Sequence, residues 1–252
     1  MHEAAGICIA IDGPAASGKG TVARAVARLL DYQYLDTGAM YRSVALLADE
    51  QGVPWTDAPG LARIAALLDL DFRWDGEQLR ILLEGRDVSR AIRAQRIGEG
   101  ASAVAVHPAV RRALVARQQH LATRGGVVMD GRDIGTVVLP RAELKIYLDA
   151  SLDERARRRW AELKVGERSG TLDEIRAELG RRDAQDSGRS TGPLQVAQDA
   201  VVVDTTCMSI SEAVRQVVEL ATQRGARARS ADAGVEVGAE PGSGLGPDPG
   251  AP

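Results

Sequence analysis

Residues 13–21 read GPAASGKGT and follow directly on the apolar run ICIAID. Glycines let backbone N–H groups turn inward to line a concave cradle, and a helix starting there adds the positive end of its dipole. A polyphosphate fits such a cradle. Lys19 then supplies a mobile point charge for the β- and γ-phosphates, one that counts for more as charge shifts during transfer. In the common form of this loop the residue after the lysine is Ser or Thr, whose hydroxyl binds Mg²⁺; here it is Gly20, with Thr21 one place later. That departure weakens a GTPase or motor-ATPase reading. The bland alternative, a merely glycine-rich helix start, has to contend with the eight-position spacing, the run before it and the amphipathic TVARAVARLL after it.

A phosphate cradle names a donor, so the acceptor must be sought elsewhere in the chain. DTGAMYR (36–42) brings Arg42 behind a glycine-containing loop, GRDIGT (131–136) carries Arg132 behind VVMD, and RRDAQDSGR (181–189) gathers three arginines with two aspartates. Arginine grips phosphate oxygens with a planar fork and keeps its proton. One arginine on a solvated helix face or in a salt bridge would signify little. Loops just past the C-terminal ends of parallel strands are where α/β sheets bind ligands, so Arg42 and Arg132 point to an anionic substrate, while Arg182 and Arg189 fit either reading. Asp130, which ends VVMD, either orients a water on Mg²⁺ or caps the next turn. His2, His107 and His120 fall at a terminus, before a proline and in a helical stretch, and read as structural or surface residues.

The elements that must hold these residues follow from periodicity. ICIAID (7–12), VVMD (127–130), LKIYLD (144–149) and VVVD (201–204) are short apolar runs, each ending in aspartate, and read as parallel strands. Helical patterns separate them: MYRSVALLADEQ, AVRRALVARQQHLA, DERARRRWAEL, TLDEIRAELGRR and SISEAVRQVVELATQ, the last two opened by Thr171 or Ser209 with Glu three residues on. Such alternation implies an α/β fold with a parallel sheet covered by helices. Residues 71–89 break the rhythm: DFRW, DGEQ and LRILLEGRDVS read as an antiparallel hairpin turning at Asp75-Gly76, part of a small mixed insert over 53–100. The core would then comprise 1–52 and 101–224. From 225 onward the chain has almost no bulky apolar residue and is expected to be a disordered tail.

Composition narrows the classes. A chain of 252 residues with 44% hydrophobic content can build a sizeable core. A formal charge of -3 and a pI near 5.7 supply no global field for a nucleic-acid polymer. Cys8 and Cys207 lie far apart without the histidine company of a zinc site and are expected to be reduced thiols. With no long apolar segment and no signal peptide, a cytoplasmic protein off the membrane is expected.

Together IAIDGPAASGKGT, LDTGAMYR, ILLEGRDVS, DGRDIGTVV, KIYLDAS and RRDAQDSGRSTGPL, in this order, resemble the bacterial cytidylate kinases over about residues 6–222. The resemblance implies a P-loop three-layer fold with a nucleoside-monophosphate-binding insert and a helical lid near 154–172, and phosphoryl transfer from ATP to CMP or dCMP. ATP would lie on Gly13, Pro14, Ala15, Ala16, Ser17, Gly18, Lys19, Gly20 and Thr21. The lid segment RARRRWAELKVGERSG would bring Arg155, Arg158 and Arg159 to it, with Gly166 and Gly170 lending mobility; a plain basic helix face is the alternative there. Arg42, Arg132 and Arg189 would hold the acceptor phosphate with Thr37 and Tyr41 beside it. Ser102, Arg111 and Asp133 would read the cytosine edge, and Arg182 with Asp186 the ribose. Asp133 suits that task, because an acidic acceptor takes the exocyclic amino hydrogen that cytosine has and uracil lacks. Lys19, Arg132, Arg158 and Asp130 are expected to carry the transfer, with Mg²⁺ held mainly by phosphates and water and the chain acting as a monomer. Rival readings are a kinase for another acceptor and a nucleotide-driven switch, which would need no acceptor pocket.

Overall fold

The computed structural model describes residues 6–76, 78–163 and 171–227. Glu77 of the expected hairpin turn, Gly166 and Gly170 of the expected lid, and 228–252 of the expected tail lie outside the described residues.

The run before the glycine loop is β1 (Cys8–Asp12), with Ile9 and Ile11 packed on one face and Ala10 on the other. A central parallel strand needs burial on both faces, which is why this run lacks polar alternation. The loop leads into α1 (Lys19–Leu30), β2 (Gln33–Asp36) and α2 (Thr37–Glu50). There follow α3 (Ala58–Ala66), β3 (Leu70–Asp75), β4 (Gln78–Leu83), β5 (Arg86–Asp87), a 3₁₀ turn at Ala91–Arg93, α4 (Gln95–Val104) and α5 (Pro108–Ala122). The chain then returns through β6 (Val127–Gly131), a π-helical turn at Ile134–Val138, β7 (Leu144–Asp149), α6 (Leu152–Glu162), α7 (Leu172–Ser187), β8 (Val201–Asp204) and α8 (Ile210–Gln223).

Five strands form a parallel sheet in the order β2-β6-β1-β7-β8. Register places Asp36 beside Asp130 and Asp12 beside Gly131, so β2, β6 and β1 finish level and their following loops emerge along one edge. The glycine loop, the start of α2 and the GRDIGT segment sit at that edge. Val22, Val26 and Leu30 of α1 and Val214 and Val217 of α8 cover one face of the sheet. Met129, Leu35 and Ile134 fill the other beneath α5. Each fully buried aliphatic side chain contributes about 1.5–3 kcal/mol relative to exposure.

The second sheet is antiparallel, β3-β4-β5, with Gly76 at φ +58° in the tight turn where only a residue free of Cβ crowding sits easily. Its apolar face joins α2, α3, α4 and α5 around Met40, Leu61, Leu68, Ile81 and Leu114. Phe72 on β3 packs against both this cluster and the one under β6. Arg117 on α5 ties the two together, its guanidinium donating to the carbonyls of Leu68 and, at 2.9 Å, Leu70.

Periodicity pointed to four of the parallel strands and to six helices. It did not mark β2, whose four residues QYLD bury only Tyr34 and Leu35, nor α3 and α4, whose sequences APGLARIAA and QRIGEGASAV carry proline or glycine and depend on tertiary packing.

Candidate active site

Gly13 ends β1 so close to β7 that a Cβ there would lie 2.1 Å from the Leu148 carbonyl oxygen. Gly18, at φ +87°, caps α1 without any side-chain hydrogen bond, which leaves the first-turn amides of α1 open to an anion. Helices α7 and α8, by contrast, close their own first turns with capping boxes from Thr171 and Ser209. Lys19 is buried and folds back over the loop, Nζ donating to the Pro14 carbonyl at 2.9 Å. Burial, with Arg132 and Arg182 nearby, pushes its ammonium down to about 7, against the pull of Asp130. A bound polyphosphate would reverse that pressure. Ser17 Oγ is buried with no hydrogen-bond partner among the described residues.

A Cβ on Gly20 would stand in ordinary van der Waals contact, 3.5 Å from Tyr34 Oη and 3.6 Å from Asp130 Oδ2, so the residue after the lysine lies directly beside that pair. Tyr34 Oη donates to Asp130 Oδ1 at 2.8 Å, and Thr37 Oγ1 donates to the Asp130 carbonyl at 2.7 Å. Burial, followed by the neighbouring Asp36 carboxylate, pushes Asp130 up to about 7. Asp36 itself caps α2 through the Ala39 N–H. Asp12, at the end of β1, accepts from the N–H groups of Ile134 and Gly135 at 2.8 Å each and so shapes the GRDIGT segment. Among the described residues no group of three or more metal-ligating side chains gathers, whereas the glycine loop, the open turn of α1 and Lys19 fit a polyphosphate that would itself carry most of the ligands of a Mg²⁺ ion.

Opposite Lys19 the arginines converge. Burial lowers the Arg42 guanidinium, and Arg93, Arg132 and Arg159 push the same way while Asp36 opposes them. Arg182 is lowered to about 10, first by burial and then by Arg132, with Arg42 adding to it. Arg132 Nε donates to Asp186 Oδ2 at 2.7 Å, and Arg189 reaches the Asp186 carbonyl at 3.3 Å. Arg182 and Asp186 stand four residues apart on one side of α7, and Arg189 follows just past its C-terminal end. Arg182 Nε, Arg189 Nη2 and Arg111 Nε are buried without hydrogen-bond partners among the described residues. Half-buried cations that repel one another and keep buried N–H groups unpaired form a receptacle for a multiply charged anion.

Beside this cluster Arg111 on α5 forms a buried ion pair with Asp133 and lies over the Tyr41 ring, 5.7 Å from its centroid. Burial pushes Tyr41 up to about 12 and raises Asp133, the latter opposed by Arg111 and Arg189. The segment after Arg189 covers the pair, with Gly192 directly against it. Ser102 is half-buried on α4. A cavity of about 400 Å³ opens between Val106 and the 184–191 stretch, with Arg189 in its wall.

Of the three expected lid arginines, two lie against the glycine loop. Arg155 is buried, donating to the carbonyls of Ala150 at 2.9 Å and Ala15 at 3.2 Å. Arg158 donates to the Ser17 carbonyl at 3.3 Å and to both oxygens of Thr205. Arg159 pairs with Glu162 at 3.2 Å on a more exposed face. Sequence reasoning did not single out Arg93, Tyr34, Asp36, Asp12 or Thr205. Aspartates ending apolar runs were a usable sign for Asp12 and Asp36. Arg93 stands in SRAIRAQR, where no strand end or glycine sets it apart from its neighbours.

The family profile described as cytidylate kinase matches residues 9–223. The cytidylate kinase of Listeria welshimeri serovar 6b is 46% identical over 218 residues, covering 86% of this chain and 97% of its own. Those of Geobacter sp. strain M21 and Pasteurella multocida strain Pm70 are 44% and 45% identical, covering 87% and 86% of this chain and 94% and 96% of theirs.

Proposed function

The chain belongs to the cytidylate kinase family, transferring the γ-phosphoryl group of ATP to CMP or dCMP, and we propose that the two substrates meet between Lys19 and the arginines of α2 and α7. The observation that carries this reading is the set of half-buried, mutually repelling guanidinium groups around Arg42, Arg132 and Arg182, facing a buried lysine in a glycine loop. ATP takes Gly13 to Thr21, with Arg155, Arg158 and Arg159 on its flank. Arg42, Arg132 and Arg189 hold the acceptor phosphate, with Thr37 and Tyr41 alongside. Ser102, Arg111 and Asp133 read the cytosine, and Arg182 and Asp186 the ribose.

A monophosphate dianion is already a nucleophile, so no side chain has to remove a proton. An oxygen of CMP attacks the γ-phosphorus of ATP, a new P–O bond forms, and the bond to the β-phosphate oxygen breaks to release ADP. The residues contribute position and charge: Lys19 and Arg132 neutralise the transferring group, and the arginines fix the line of attack. Mg²⁺ would screen the phosphate charges, held mainly by phosphate oxygens and water, with Asp130 orienting one of those waters. We take 53–100 as the insert that closes on the acceptor, the 154–172 segment as the lid over ATP, and the enzyme as a cytoplasmic monomer.

The test is ADP release from Mg·ATP with CMP, dCMP, UMP, AMP, GMP or no acceptor, for the wild type and for Asp133→Asn. Turnover confined largely to CMP and dCMP in the wild type, with the preference over UMP falling about tenfold or more in the variant, is the expected result. Equal loss for every acceptor would remove Asp133 from base recognition. ATP hydrolysis indifferent to the acceptor would overturn the pocket as a whole.

A further inference from the structure

Ala15, within the glycine loop, has both backbone polar groups held by side chains from distant helices. Its N–H donates to Asp183 Oδ1 at 3.4 Å, and its carbonyl accepts from Arg155 Nη1 at 3.2 Å. The two side chains are joined, Arg155 Nη1 meeting Asp183 Oδ2 at 2.5 Å, and Arg155 Nε is anchored on the Ala150 carbonyl at the end of β7. The Ala15 methyl is buried with Ala156 of α6 and Ile175 and Leu179 of α7. The loop is therefore fastened to α6 and α7 as well as to the strand and helix it connects.

Asp183 follows Arg182 and precedes Asp186 by three residues. A single turn of α7 thus grips the donor loop through one residue and bears the acceptor-side charges on its neighbours. We propose that Asp183 is a positioning residue for phosphoryl transfer: through Arg155 and Ala15 it holds the ATP loop in register with the acceptor-binding turn of α7. The argument is geometric. In-line transfer depends on the spacing of donor and acceptor, and displacement of a reacting partner by about 1 Å can lower the rate about 100-fold. A buried ion pair is weak evidence for stability, so its placement on the loop backbone is the more informative fact.

The inference rests on reading the loop as the ATP site, and the experiment separates the two. Asp183→Asn keeps the volume and one acceptor for the Ala15 N–H but removes the charge opposite Arg155. Expected is a fall in kcat of about 10- to 100-fold, with the KM for CMP changed less than about threefold and the melting temperature changed little. In an Arg155→Met background the same substitution should have little further effect, because the two act as a unit. Wild-type kcat, a loss confined to the KM for CMP, or strictly additive losses would overturn the proposal. Should Asp183→Asn prove too unstable to assay, Arg155→Lys, which keeps the charge and loses the fork, is read by the same split between kcat and KM. Lys19→Met is the control: if it keeps wild-type turnover the ATP-loop reading itself fails, whereas wild-type kcat in Asp183→Asn beside an inactive Lys19→Met refutes only the role of Asp183.

Discussion

Asp12 illustrates how a side chain away from the reacting groups can shape a site. Its carboxylate holds two N–H groups of the segment after β6, and burial sets its pKa at about 6 against an ordinary 3.8. The folded chain keeps this proton more tightly than the unfolded one. The stability gained is full below the unfolded value and is lost as pH rises through about 6, amounting to roughly 3 kcal/mol. Asp12→Asn removes this titration, so the wild-type melting temperature relative to the variant should fall by roughly 4–8 °C between about pH 4.5 and 7.5, where about 2 kcal/mol of it is lost. Parallel melting profiles would show that Asp12 is solvated. At this scale the sequence was informative where a residue had a motif around it: Lys19, Arg132 and Asp133 lie just past strand ends as their motifs implied, whereas Arg42 stands within α2, which starts at Thr37 directly after β2 with no glycine loop between. It was silent on Arg93, because an arginine in an unpatterned segment reveals nothing until the fold brings it beside Arg42.

Elements were legible in proportion to how much of their stability is local. Helix α8 has a capping box, with Ser209 accepting from the Glu212 N–H while the Glu212 carboxylate accepts from the Ser209 N–H at 2.8 Å, and its apolar face repeats at helical spacing. Both signs were visible in the sequence. Ser209→Ala should cost about 1 kcal/mol, lowering the melting temperature by about 2–4 °C with kcat unchanged, as thermal denaturation beside a turnover assay would report. No change in melting would mean that the exposed end of α8 frays in the wild type. The π-helical turn at Ile134–Val138 lies at the other extreme. Nothing in GRDIGTVV favours it; the turn is held by Asp12 across 122 and 123 residues of sequence, and by the packing of Ile134 and Val138 under α5. β2 was missed for the same reason, since its pairing with β6 and the burial of Tyr34 decide it.

For the molecule as a whole, two apolar clusters share α5: Val110 and Leu114 serve the one around the antiparallel sheet, and Ala122 serves the one under β6. The alternation of strands and helices made the parallel sheet readable, and the turn signal at Asp75-Gly76 the antiparallel one. Their mutual packing through Phe72 and Arg117 left no trace in periodicity. Just before the end of the described residues, and against the expectation of a disordered tail from 225 onward, Ala226 is buried against the α1–α8 side of the sheet and its N–H donates to the Ala221 carbonyl at 2.9 Å. Truncation after Arg227 should leave both turnover and melting temperature unchanged, whereas truncation after Gly225 should lower the melting temperature while sparing kcat. Loss of turnover in the longer truncated form would assign 228–252 a part in the reaction. The crowd of guanidinium groups around Arg42, Arg132 and Arg182 has a consequence for the lifetime of the enzyme. Like charges confined together raise the free energy of the unliganded fold, and a bound dianion relieves them, so the unfolded fraction shrinks as acceptor concentration rises. A plentiful supply of CMP would thereby shelter from proteolysis the protein that consumes it, and starvation for CMP would hasten its removal.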